Sequence, residues 1–323
     1  MYADDPAATA SADTPAHPGR DATGSPVDAP DEGDAAAAAV LPDARPDALP
    51  DAPAVPDDEP AVVHTLTGDV RRHEGFRSRH LDVEHDVLVY LPPGYDDEPA
   101  RRYPVLYLQD GQNLFDAATA FSQEWQVDET AQRLIEAGEI APLIIVGIAN
   151  AGERRIDEYT PTRDRRHRAG GGANRYGRML VEELKPFVDA TYRTRPDPAS
   201  TGLGGSSLGG LLSLFLGLQY SGLFWRLAVL SPSVWWDDRF IVRRVRLLGF
   251  KPPLRIWLSV GTHEADGVVD AACALRDALV AAGWREGDDL AFSVVEGARH
   301  EEAAWAGQVG PVLRYLFPPD RSA

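Results

Sequence analysis

One cysteine and two lysines are all that this chain of 323 residues holds of either type. The single Cys273 excludes an intrachain disulfide. Its place in the helix-like run "DAACALRDALVAAG" gives it an apolar, buried role rather than that of a reactive thiol. With only Lys185 and Lys251, a G-x-x-x-x-G-K-[ST] phosphate loop cannot be written anywhere in the chain. No apolar run approaches the roughly 20 residues of a transmembrane helix. The stretch "AAAAAVL" (35–41) is short and follows acids, so it is a poor signal-peptide core. The expected compartment is therefore cytoplasmic for a complete chain, and exported if a signal peptide has been removed.

Aromatic and β-branched residues are nearly missing from residues 1–60, which are mostly Ala, Asp and Pro. Such a segment buries too little apolar surface to offset its ordering entropy, and it reads as a disordered tail or linker. It carries 14 acids and 2 arginines, a net of −12, so the total of −18 leaves −6 for residues 61–323. That mild balance gives no sign of a nucleic-acid partner or a polybasic membrane surface. The remaining length suits one domain, 61–323; its oligomeric state is not legible.

What is present from residue 61 onward is an alternation of short apolar runs and longer amphipathic stretches. The runs are "DVLVYLP" (86–92), "PVLYLQDG" (104–111), "LIIVGIAN" (143–150), "TGLGG" (201–205), "LAVLSPS" (227–233), "RIWLSVG" (255–261) and "AFSVVEG" (291–297). Most are continuously apolar, as strands covered on both faces are. Helices are expected at 124–137, 174–192, 207–220, 237–248, 267–283 and 301–316, with Pro186 kinking the second. The pattern predicts an α/β fold with a mostly parallel central sheet and helices on both faces. Ligands in such folds gather at the carboxyl ends of the strands.

At one of those ends stands "GLGGSSLGG" (202–210). It does not fit a dinucleotide fingerprint, which needs glycine at 207 and finds serine. The pattern G-x-S-x-G fits in one register only, Gly205-Ser206-Ser207-Leu208-Gly209, and makes Ser207 the candidate nucleophile, with Ser206 its small neighbour. A preceding strand and a following helix are the context this turn demands. The helix N-terminus favours negative charge there, and the Leu208 N–H is the expected oxyanion donor. Downstream, only His263 and His300 are available as a base. His300 follows the last apolar run, and Glu264 or Asp266 follows the run before it, giving the chain order Ser, acid, His. Glu264 is preferred because it stands nearer the strand end, whereas Asp266 suits the N-cap of the next helix. His263 is expected at most to line the site. In "YLQDGQNLFD", Gly111 permits close backbone approach and the Gln112 N–H supplies a second oxyanion donor.

Seven ordered stretches, "YLQDGQNLFD", "RIDEYTP", "VEELKPFVDATYRT", "GGSSLGG", "LSPSVWW", "VGTHE" and "RHEEAAW", together resemble the esterase D / enterochelin-esterase-like family of α/β hydrolases across about residues 75–317. The resemblance implies an eight-stranded α/β-hydrolase sheet, no metal or other cofactor, and Ser207, His300 and Glu264 as nucleophile, base and acid. It implies a small-molecule or polysaccharide-borne ester as substrate, of siderophore, feruloyl or acetyl type. Mycolyl transfer also occurs in the family, so an acyltransferase on the same triad is an alternative. A catalytically silent carbohydrate- or surface-binding module is another. Ser233, Trp235 and Trp236 in "SPSVWW", together with Trp125, are expected to wall the substrate. The arginine-rich stretch 153–175 is expected to be a basic flap, with Arg155 and Tyr159 its substrate-binding members and Arg155 steering an anionic ester.

Overall fold

Seven of the strands follow from the apolar runs. The computed structural model describes residues 63–320, and the tail read at 1–60 lies outside them. The chain runs β1 (Asp69–Phe76), β2 (His85–Leu91), β3 (Val105–Gln109), α1 (Val127–Glu136), β4 (Ile144–Ile148), α2 (Arg155–Tyr159), β5 (Arg163–Asp164), β6 (Ala169–Gly170), α3 (Ala173–Met179) and α4 (Lys185–Thr191). It continues through β7 (Thr201–Ser206), α5 (Leu208–Gln219), β8 (Arg226–Leu230), α6 (Trp236–Arg246), β9 (Arg255–Gly261), α7 (Val268–Ala281), β10 (Leu290–Val295) and α8 (Glu302–Leu316). Eight strands form one sheet in the order β1-β2-β4-β3-β7-β8-β9-β10. The pairs β1–β2 and β2–β4 are antiparallel and all others parallel. This is the α/β-hydrolase sheet.

Alternation along a strand splits its side chains between two cores. In β3, Val105 and Tyr107 join α3, α5 and α7 on one face, while Leu106 and Leu108 join α1 and α8 on the other. Burial on both faces explains why such strands read as unbroken apolar runs. By contrast, β1 is an edge strand with no fully buried residue, and "DVRRHEGF" gives no such run.

The helix expected at 174–192 is interrupted: a π turn, Leu180–Leu184, joins α3 to α4 and places Pro186 in the first turn of α4. The arginine-rich stretch expected as a flap needs correction. It contains α2 and the β5–β6 hairpin, and buried Asp164 accepts hydrogen bonds from the N–H groups of Arg166, His167 and Asp237. Cys273 is half-buried on α7 rather than fully buried. Among the described residues, no helix is long and apolar enough to cross a membrane.

Candidate active site

Six strand ends, those of β3, β4, β7, β8, β9 and β10, supply the site at one edge of the sheet. Ser207 sits between β7 and α5 at φ 56° and ψ −122°, a region costly for any residue with a Cβ. Its N–H donates to the Leu230 carbonyl at 3.0 Å, and its own carbonyl accepts from Ser233 N–H at 3.0 Å. These bonds anchor the turn to β8. The turn also needs glycine beside it, since a Cβ on Gly205 would stand 2.9 Å from the Gly209 backbone. The serine hydroxyl therefore projects at a fixed angle.

His300 follows β10. Its Nε2 lies 2.9 Å from Ser207 Oγ, and its Nδ1 lies 2.7 Å from Glu264 Oε2. A carboxylate only accepts, so Nδ1 carries the proton and Nε2 is left as an acceptor for the serine hydroxyl. Glu264 is almost fully buried, and its other oxygen accepts from Ser231 Oγ at 2.6 Å and from Gly261 N–H at 2.7 Å. Burial by itself would raise this carboxyl. The bonds from His300, Ser231 and Gly261 outweigh it and hold the group below the ordinary carboxylate range. Ser231 in turn accepts from Trp305 Nε1 at 3.0 Å, and the Trp305 ring meets the His300 ring edge-on at 5.0 Å. Imidazole position and tautomer are thus both fixed.

Opposite the serine, the short turn Gly111–Asn113 follows β3. Asp110, which opens it, has a left-handed backbone (φ 58°). Arg155 holds the Asp110 carboxylate with two bonds of 2.6 and 2.8 Å, Asn150 Nδ2 adds a third at 2.7 Å, and the Asp110 N–H donates to Tyr159 Oη at 3.2 Å. Gln112 Oε1 accepts from Asn150 N–H at 3.1 Å, which ties the Gln112 side chain to the end of β4. The Leu208 N–H is the first of α5 and has no intrahelical acceptor. A cleft of about 720 Å³ opens over Ser207 and is lined by Gln112, Phe121, Arg155, His300, Glu302 and Trp305 among others.

The model of the family described as "Putative esterase" matches residues 78–314. The chain belongs to that family. Membership makes it a carboxylic ester hydrolase of the enterochelin-esterase-like kind. It is 28% identical over 267 residues to the uncharacterized protein YbbA of Bacillus subtilis, covering 77% of this chain and 99% of that protein. It is also 28% identical over 262 residues to the iron(III) enterobactin esterase of Dickeya dadantii, covering 76% of this chain and 54% of the relative. The structure of an IroE-like serine hydrolase from Shewanella oneidensis superposes with a TM-score of 0.60 at 25% identity, covering 77% of this chain and 79% of that one.

The esterase's other expected site residues divide by burial. Ser233 is buried, with its hydroxyl 3.4 Å from Ser207 Oγ. Ser206 is buried within β7. Asp266 is exposed and is not the N-cap of α7, a place taken by Gly267 at φ 76°. His263 is exposed and does not line the cleft. Trp125 packs against Trp305 inside the α1–α8 core, and Tyr159 is fully buried, so neither reaches the cleft. Trp236 is buried beneath His167, and Trp235, 45% exposed, lies beside it away from the cleft lining. Gly111 is needed for packing, because a Cβ there would stand 2.6 Å from the Gly147 backbone. Arg155 lines the cleft with its charge spent on Asp110. Ser231, Trp305, Asn150 and Glu302 were not singled out from sequence. All four stand in strand-end or His300-flanking stretches, where position alone marks them as neighbours of the site.

Proposed function

We propose that this esterase is a serine-dependent hydrolase that works through an acyl-enzyme on Ser207 and needs no metal ion. The reading is carried by the unbroken hydrogen-bonded line from Ser207 Oγ through His300 to Glu264. Ser207 Oγ attacks the ester carbonyl carbon as its proton passes to His300 Nε2. Glu264 stabilises the imidazolium so formed. The carbonyl oxygen takes up the negative charge and is met by the Leu208 and Gln112 N–H groups. Collapse breaks the ester C–O bond, and His300 returns the proton to the departing alcohol. Water then repeats the sequence on the acyl-enzyme, releasing the acid and restoring Ser207.

The substrate is an ester carried on a small molecule or a polysaccharide, of siderophore, feruloyl or acetyl type. The Dickeya relative is named for enterobactin, which supports the first of these. Mass spectrometry after treatment with a fluorophosphonate tests the nucleophile: the adduct is expected on Ser207, and Ser207→Ala is expected to lower kcat by about 10⁶. An adduct on Ser206, or turnover surviving Ser207→Ala, would overturn the assignment. Activity abolished by EDTA and restored by a divalent cation would overturn metal independence.

A further inference from the structure

The charge inside the cleft is unbalanced. Arg155, the one arginine or lysine among its lining residues, is neutralised by its two bonds to Asp110. Glu302 also lines the cleft, and its carboxylate meets only neutral donors: Ser122 Oγ at 2.6 Å and Asn113 Nδ2 at 3.4 Å. It is the first residue of α8, whose N-terminus favours a negative charge there. Exposed charges beside the lining residues come in opposite signs, Glu153 with Arg154 after Gly152, and Arg299 with Glu301 around His300. Arg155 also feels the Glu302 charge, but its two bonds go to Asp110, so among the lining Asp110, Arg155 and Glu302 one negative charge is left over.

Position decides which half of the ester feels that charge. His300 must hand a proton to the departing alcohol, so the alcohol half lies against His300. Glu302 stands two residues on, and its partner Ser122 carries the neighbouring Phe121, 90% exposed at the cleft. A planar alcohol would lie along Phe121 with its far end toward the carboxylate.

We propose that Glu302 makes the cleft select esters whose alcohol half is uncharged or cationic, and reject those whose alcohol half is anionic. The inference rests on the esterase reading and narrows it. Neutral hydroxyls and ammonium groups can donate to Glu302, whereas a carboxylate on the alcohol half would meet like charge in a partly desolvated site. Discrimination of about tenfold is expected at a half-buried position.

The test compares kcat/KM of the full chain for 4-acetoxybenzamide and 4-acetoxybenzoate, which differ in the charge of the alcohol half. The ratio, rather than either rate, is the readout. The wild type is expected to favour the amide about tenfold more than Glu302→Gln does, because glutamine keeps the acceptor for Ser122 and loses the charge. In the wild type alone, raising ionic strength from low to about 0.5 M is expected to shrink the ratio. A ratio unchanged by both the substitution and the salt would overturn the proposal. Absence of turnover on either ester would count against the esterase reading instead. Charge selection is then read from calorimetric binding of 4-hydroxybenzamide and 4-hydroxybenzoate, and equal affinity for the two would overturn it.

Discussion

Glu264 and Asp266 are two positions apart, and the structure gives them opposite surroundings. Glu264 is buried against His300, and Asp266 faces solvent. Glu264→Gln is expected to lower kcat by about 10³ or more, since an amide can present a donor to Nδ1 and favour the wrong tautomer. Asp266→Asn is expected to leave kcat within twofold. Steady-state kinetics on a neutral aryl acetate decides, and the reverse outcome would move the acid to Asp266. Because the Glu264 carboxyl is held low, it remains ionised below the ordinary carboxylate pKa, and its hydrogen bonds are lost only as pH falls through that lowered value. A second residue, Arg155, is legible in sequence as a cation but not as a partner. Asp110 lies 45 positions away and only the fold brings them together. Arg155→Met leaves a buried carboxylate with one remaining side-chain donor and is expected to cost about 3 kcal/mol of stability. It is also expected to lower kcat more than it raises KM for a neutral ester, because Asp110 opens the turn that carries Gln112, the proposed oxyanion donor. A change confined to KM for anionic esters would show that Arg155 touches substrate instead.

The elements that carry the site were the most legible part of the sequence. Seven strands announce themselves as apolar runs, though the edge strand β10 is only partly buried, and the residues just past four of them are Asp110, Ser207, Ser231 and Glu264. Less visible were β1, whose side chains are only partly covered, and the π turn before Pro186, which no apolar period announces. The junction of β7 and α5 is the element most sensitive to volume. Gly205→Ala would press a methyl against the Gly209 backbone at 2.9 Å and Gln109 Cβ at 3.0 Å. The expected cost is about 1–3 kcal/mol, seen as a Tm lower by several degrees, with a larger loss in kcat as Ser207 shifts from His300. Unchanged melting and turnover would show that the turn has slack.

At the scale of the whole molecule, stability is expected to depend on a carboxyl far from the chemistry. Asp128, at the start of α1, is pushed up to about 8 by burial and by the neighbouring Glu129 carboxyl, although it accepts from Thr67 N–H at 2.6 Å. Its folded pKa exceeds its unfolded one, so the folded state binds the extra proton, and stability falls as pH rises from about 4 to about 8. Asp128→Asn is expected to raise Tm more at pH 8 than at pH 5, and calorimetric scans at the two values check the difference. Nothing in the sequence distinguishes this aspartate from its neighbours, because its surroundings are assembled by residues 63–68. That short stretch is stitched to the loop leading into α1: His64 Nδ1 and Thr65 N–H meet Asp116, Thr65 Oγ1 donates to Glu124, and Thr67 N–H meets Asp128. The same loop carries Thr119, Phe121 and Ser122 to the cleft. Mechanically, these few residues are a load path, so that tension drawn through the chain at residue 63 would pass into this wall of the cleft as well as into β1.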